Sequence, residues 1–432
     1  MSDQLLHLNI RGPIRRGLTL LPLILALTGA WFSVRWFIGN TIAENLNPDD
    51  RGLENAQMAA GLAPSDPLAH WTLAELEQRK LTADQSSKAL AEYDKAVRLS
   101  PNDYRFWLAW GRALEQLGET KKSEQAMRQA IALAPSYSNP RWYLGNLLVR
   151  DGRDEEAFAE LRPAGEADPQ LRPQIFNLLW QVYQNNPSQL SVAVGSAPET
   201  RAEFAKYLVQ SGQLDAGLGI WQSLSADDKQ KNRVVGDSLV KVLLDGKHFG
   251  RGLEIWNGIA LREALRGKVG EILDGDFERK ADPENSSFFN WQIKSGQQVQ
   301  ASFDDDVKHS GKQSLRLVFK ARSNVEIMVA QLVVVEPNTQ YDFEGYVKTS
   351  DLKSAVTPVI EIVSATTGAI LITSPQAPTG FVEWQKLALT FKTDSRTEGV
   401  FIRVSRGSCE DNNLCPIFGT LWYDNFTIKR RS

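Results

Sequence analysis

The chain has 432 residues, a formal net charge of −3, two cysteines and four histidines. That length predicts two or three domains, and the charge excludes a polybasic surface built for nucleic acid. His7, His70, His248 and His309 are scattered without metal-ligand spacing, and no G-x-S-x-G, H-E-x-x-H, Walker loop or dinucleotide fingerprint names a reaction.

Residues 1–17 are polar and carry Arg11, Arg15 and Arg16; residues 18–38 are then almost wholly apolar. A run of about 20 such residues predicts a membrane-spanning helix. Its one charge, Arg35, is placed to snorkel to the headgroups beside Trp31 and Trp36. Basic residues precede the run and Glu44, Asp49 and Asp50 follow it. The positive-inside rule therefore puts residues 1–17 in the cytoplasm and the bulk of the chain outside. In a bacterium this is a single-pass inner-membrane protein with a periplasmic body. The alternative is a signal peptide cleaved after Ala30.

Residues 50–169 carry a repeat. Pro101, Pro135 and Pro169 close successive units 34 residues apart, a period that signals stacked helical hairpins. Small residues recur at Ala96, Ala130 and Ala164, and at Ala89, Ser123 and Ala157; larger ones fill Tyr93, Met127 and Leu161. Gly111 and Gly145 share a first-helix position, and Gly118 and Gly152 take the turns. These residues resemble the tetratricopeptide repeat (TPR). The likeness implies a TPR-type α-solenoid with a groove that binds a protein partner. Two departures stand out: Glu77 replaces the first Gly of repeat one, and Trp142 falls one place late in repeat three. The segment before Pro64, with Ala56 and Ala59, reads as a half-repeat capping the array.

Across 170–267 the period degrades but amphipathic helices continue. Asn186-Pro187 stops one, and two hairpins end in GLGIW (217–221) and GLEIW (252–256), with Gly212 and Gly246 at their turns. They read as divergent repeats of the same right-handed solenoid. From 271 to 430 the pattern changes to alternation and β-branched residues. EILDGDFE reads as the first strand; Leu315, Leu317 and Phe319 share one face of another, and turn signals separate the rest. The fold class is thus multidomain, α then β: one N-terminal transmembrane helix, an α-solenoid and a C-terminal β-sandwich.

The order of phrases in 271–430 (DGDFE, HSGKQSLRL, PNTQYDFEGYVK, FVEWQKLALTF, LWYDNFTI) resembles the jelly-roll carbohydrate-binding modules attached to xylanases and glucanases. The likeness implies that Trp291, Trp384 and Trp422 are core residues. It also implies a structural calcium between the first and last strands, held by Glu278 and Asp424, the alternative being acids that cap turns. No other cofactor is expected.

Alternation supplies a glycan-binding candidate of its own. Glu344 and Tyr346 oppose Tyr341 and Phe343 on one strand, and Arg403 opposes Ile402 and Val404 on another. An acid, an aromatic and an arginine converging on one sheet face suit a sugar, whose apolar face stacks while its hydroxyls take polar pairs. The alternative is a solvated strand face. Cys409 and Cys415, in one loop of a domain expected outside the membrane, suggest a local disulfide. Three functions compete: an envelope scaffold that grips a protein and touches glycan, in surface-polysaccharide assembly or export; a pure protein adaptor; and a glycan-processing enzyme, whose carboxylate pair would leave no sequence spacing. The first is the reading adopted.

Overall fold

The computed structural model describes residues 13–46, 52–80, 83–184, 186–279, 288–409 and 415–431. The chain divides into two compact units, Met1–Gly195 and Ser196–Ser432.

The first unit is helical: α1 Pro13–Glu44, α2 Gly52–Leu62, α3 Pro67–Gln78, α4 Ala83–Leu99, α5 Tyr104–Gln116, α6 Thr120–Leu133, α7 Ser138–Arg150, α8 Asp154–Ala167, α9 Arg172–Tyr183 and α10 Pro187–Val194. Helix starts follow from capping: Asp66 and Asp103 accept the amides of Leu68 and Arg105. Gly118 and Gly152 take φ of 78° and 72° at the hairpin turns, where an L side chain would be strained. The small-large code reads out as packing. Ala89, Tyr93, Ala96, Ser123, Met127, Ala130, Ala157, Leu161 and Ala164 are all buried. Ser123 Oγ donates to the Gly111 carbonyl across its hairpin at 2.7 Å. A Cβ on Gly145 would stand 2.5 Å from Leu161 Cγ, so the missing side chain sets how closely α7 and α8 approach. Glu77, in the glycine place of repeat one, is buried.

The half-repeat is completed in a way the sequence did not announce. α1 does not end with the apolar run at Ile38 but continues to Glu44. Its last turns pair with α2, and Ala43 joins Ala56, Ala59, Ala60, Ala69 and Leu73 in one core. Arg35, expected to snorkel freely, donates to the Gly61 carbonyl at the end of α2.

The second unit begins with α11 Pro198–Gln210, α12 Leu214–Gln222, α13 Ala226–Lys231, α14 Arg233–Asp245 and α15 Phe249–Ile259. Both GLxIW phrases bury their tryptophan, Trp221 and Trp256. Gly212 takes φ 81°, but in the second turn Lys247, not Gly246, holds the left-handed position at φ 66°. The strands are β1 Gln292–Lys294, β2 Val299–Asp304, β3 Ser314–Ala321, β4 Met328–Val334, β5 Gln340–Lys353, β6 Val359–Ser364, β7 Ile370–Thr373, β8 Gly380–Lys392, β9 Gly399–Ser405 and β10 Ile417–Arg430. They form two antiparallel five-stranded sheets, β1-β4-β9-β6-β7 and β2-β3-β10-β5-β8. Leu315, Leu317, Phe319, Tyr341, Phe343, Ile360, Ile402 and Tyr423 fill the space between them.

Two expectations are corrected. EILDGDFE is not a strand. Asp274 and Phe277 take φ of 57° and 54°, and Gly275 lies so close to the Phe426 carbonyl that a Cβ would fall 1.9 Å from it. The segment is fastened instead by the Phe426 amide to the Gly275 carbonyl at 2.7 Å and by the Gln331 side chain to both polar groups of the Leu273 backbone. The second correction concerns the boundary placed near 267–271. The change from helix to strand falls there, yet α11–α15 pack with the sandwich. Leu332 and Val334 on the outer face of β4 and Ala365 share a core with Leu239, Phe249, Leu253 and Trp256. An apolar outer sheet face needs a cover, and these hairpins provide it.

Candidate functional site

The three residues proposed to converge on glycan do not meet. Glu344 and Tyr346 lie on β5, in the second sheet, and Arg403 lies on β9, in the first. Their strand neighbours Phe343, Val347, Ile402 and Val404 face the shared core. Each candidate therefore points outward, on opposite sides of the sandwich. Alternation fixes in and out along each strand; it does not fix which strands share a sheet. Arg403 pairs with Glu361 on neighbouring β6, Nε to Oε2 at 2.8 Å, and borders a cavity of about 410 Å³ with Gln292, Lys294 and Met328.

The outer face of the second sheet holds an aromatic cluster around Tyr346. The His309 imidazole stacks on the Tyr346 ring at 3.7 Å between centroids and 17° between planes. Trp384 meets the same imidazole edge-on at 5.7 Å. Ion pairs flank the cluster: Lys386 to Glu344 at 2.7 Å, and Lys348 to Glu383. Trp384, expected in the core, is half-buried and outward-facing. Trp422 is buried but also lies outside the inter-sheet core, and its indole N–H donates to Asp304 Oδ2 at 2.8 Å. Trp291 does pack against the core, against Phe277 and Phe426. The signal for the two misplaced tryptophans was available. Leu387, Leu389 and Phe391 alternate inward, so Trp384 shares the phase of Lys386; Leu421 and Tyr423 do the same for Trp422.

His309 was missed because a loop, not a strand, delivers it. Asp424 Oδ2 accepts the amides of His309 and Ser310 at 2.8 and 3.1 Å, and its Oδ1 accepts that of Asn425 at 2.7 Å. Glu278 Oε1 accepts the amides of Lys312 and Gln313. Asn425 Oδ1 accepts from Ser310 Oγ at 2.9 Å and stands 2.8 Å from His309 Nδ1. Burial pushes the Asp424 carboxyl up, and the amides of Ser310, His309 and Asn425 pull it back.

Glu278 and Asp424 thus grip one loop, but as acceptors of backbone N–H groups. This is the turn-capping arrangement, the alternative to a calcium ligand pair. Among the described residues, Asp304, Asp305 and Asp306 form a group of three acids close enough to share an ion. Asp304 there already holds the amides of Asp306 and Val307 and the indole of Trp422.

Cys409 and Cys415 form a disulfide with Cα atoms 5.4 Å apart. Arg406 anchors its base, donating to the Cys415 carbonyl and to Ser354 Oγ, each at 2.9 Å, and to the Val356 carbonyl at 2.8 Å.

In the first unit, the leading helices of successive hairpins are laced by side chains. Gln78 on α3 donates to Gln116 on α5, Arg112 on α5 lies 4.5 Å from the Tyr143 ring centre on α7, and Arg150 on α7 pairs with Glu115 on α5. This row is polar and charged, as suits contact with another protein.

The fold and these sites define a helical-repeat protein joined to an antiparallel β-sandwich. The comparisons sharpen this. A family model described as tetratricopeptide repeat matches residues 104–137, and one described as carbohydrate binding domain matches residues 271–411. The chain is similar to the small glutamine-rich tetratricopeptide repeat-containing protein 2 of Mycosarcoma maydis, 29% identical over 103 residues. That match covers 22% of this chain and spans only 29% of that relative's length. Among solved structures it is similar to MamA, at 13% identity and a TM-score of 0.28 over 43% of this chain and 90% of that one. It is also similar to YrrB, titled a TPR protein with an unusual peptide-binding site, at 17% identity and 0.26 over 48% and 91%. The repeats suggest protein–protein interaction and the sandwich suggests carbohydrate binding, and both domain types are typically non-catalytic. Leu20–Glu44 is long and apolar enough for a membrane span or a signal sequence.

Proposed function

We propose that this protein is a membrane-anchored scaffold whose repeat array grips a protein partner and whose sandwich contacts glycan. In this reading α1 anchors the chain in a bacterial inner membrane, the N-terminus is cytoplasmic and the body periplasmic. The setting is assembly or export of an envelope polysaccharide. The observation that carries the glycan contact is the His309–Tyr346–Trp384 cluster on the outer face of the second sheet. Rings offer stacking area to the apolar face of a sugar, and Glu344, Lys348 and Lys386 beside them offer hydroxyl partners. Within the second unit the outer face of the first sheet is partly taken by α11–α15, which favours the second sheet as the binding side. The test is glycan binding by the detergent-solubilised full chain, parent against Trp384→Ala, with secondary structure checked in parallel.

A pure adaptor is the second reading. It is favoured by His309, which covers one face of the Tyr346 ring, and by the core that the sandwich shares with helices. Absence of any glycan ligand for the parent chain selects it.

A further inference from the structure

The first hairpin of the array is built partly from the membrane helix. This fixes the height of everything packed on it. The apolar run 18–38 has the ~20 residues whose rise of about 1.5 Å each spans a hydrocarbon core of about 30 Å. α2 runs back alongside the end of that run. Arg35 donates to the Gly61 carbonyl. Gly39 lies against Ala59 and Ala63 so closely that a Cβ would sit 2.7 Å from Ala63 Cβ. Asn40 Nδ2 donates to Asp66 Oδ2 at 2.9 Å. Residues 61–66, the turn from α2 to α3, are therefore level with residues 35–40, where the apolar run ends.

That turn is not dressed for open water alone. With α1 it forms a groove of about 640 Å³ lined by Phe32, Arg35, Trp36, Leu62, Pro64 and Ser65. Trp36 and Phe37 beside it are 43% and 65% exposed. Arg35 uses one arm on Gly61, and a guanidinium carries five donors. An indole, a cation and an apolar wall at the end of a span match the glycerophosphate level of a bilayer. His70 holds the turn in place, its Nε2 3.0 Å from the Pro64 carbonyl and its Nδ1 on Glu92 Oε2 at 2.5 Å.

We propose that the α2–α3 turn is a phospholipid contact, with the groove between it and α1 seating the glycerophosphate region of a lipid, so that the first repeat stands in the membrane interface. This rests on α1 being a span, and the experiment separates the two. Single cysteines are introduced by Ser65→Cys, Leu25→Cys and Glu119→Cys in the full chain, whose two native cysteines are paired. Each is labelled with an environment-sensitive fluorophore. The protein is reconstituted in phosphatidylethanolamine–phosphatidylglycerol vesicles doped with spin-labelled phosphatidylcholine, at the headgroup or mid-chain. The expected result is that the headgroup probe quenches the Ser65 label several-fold more than the Glu119 label, at the far turn between α5 and α6, while the mid-chain probe quenches Leu25. If Leu25 is quenched and Ser65 behaves like Glu119, the span stands and the lipid contact is overturned. If neither Leu25 nor Ser65 is quenched, the span fails and the proposal falls with it.

Discussion

The ring of His309 lies 3.7 Å from that of Tyr346, nearly parallel to it, and two carboxylates far apart in sequence, Glu278 and Asp424, hold the loop that puts it there. Because backbone amides satisfy those carboxylates, chelation with EDTA is expected to leave the melting temperature unchanged. Asp424→Ala removes the acceptor of three N–H groups, two of them in the exposed His309 loop where water can replace it, so each lost bond is expected to cost about 0.5–1.5 kcal/mol and the melting temperature to fall. A melting temperature that falls on chelation and recovers with calcium contradicts the amide-cradle account.

Asp274 gives the second unit a pH dependence. Burial, with a smaller push from Asp276, raises its carboxyl to about 7 against the opposing Arg279. Between its ordinary value near 4 and about 7, the folded state keeps a proton that the unfolded chain has released, so stability falls as pH rises through that window. Asp274→Asn keeps an acceptor for the Arg279 amide and suits the left-handed backbone at φ 57°. Its melting advantage over the parent is expected to widen from about pH 4 to about pH 8. Parallel curves across that range rule this out.

The repeat register is tested at Gly145. Leucine there must displace Leu161, whose Cγ would lie 2.5 Å from the new Cβ. Overpacking of this kind costs about 1–3 kcal/mol. Gly219→Ala, with open space around it, is the matched control and should melt no lower than the parent. Equal melting of Gly145→Leu and the parent places Gly145 away from the α7–α8 contact.

Closing so short a loop, Cys409–Cys415 should contribute modestly, about 2 kcal/mol by chain-entropy reasoning. Thiol labelling of the unreduced protein is expected to find no free cysteine. Two labelled thiols per chain mean that the bridge does not form.

What the sequence disclosed follows from where its information is local. The 34-residue period, the small-large code and the turn glycines are set within one hairpin and its neighbour, and each landed where expected. In-and-out alternation on β5 and β9 was legible for the same reason. The assignment of β5 and β9 to different sheets was not, because sheet membership is decided by long-range pairing. Trp384 and Trp422 were misplaced by trusting a family likeness over the phase of their own strands. β1, three residues long, and α13, six residues long, are too short to carry a periodic signal. The continuation of α1 into the first hairpin was hidden because an apolar run says where lipid ends, not where a helix ends.

The central claim is that the outer face of the second sheet binds glycan, and one comparison tests it most directly. Parent, Trp384→Ala and Trp291→Ala, each as the full chain, are titrated with envelope polysaccharide fragments and melted side by side. Trp384 is half-buried and outside the inter-sheet core. Its loss should leave the fold intact and weaken binding about two- to tenfold, the measure of one aromatic contact worth about 0.5–1.5 kcal/mol. Trp291 packs against the core, and truncating a core Trp costs about 3–5 kcal/mol, so that variant should lose stability first. A Trp384→Ala protein that stays folded and binds glycan as tightly as the parent would contradict the account.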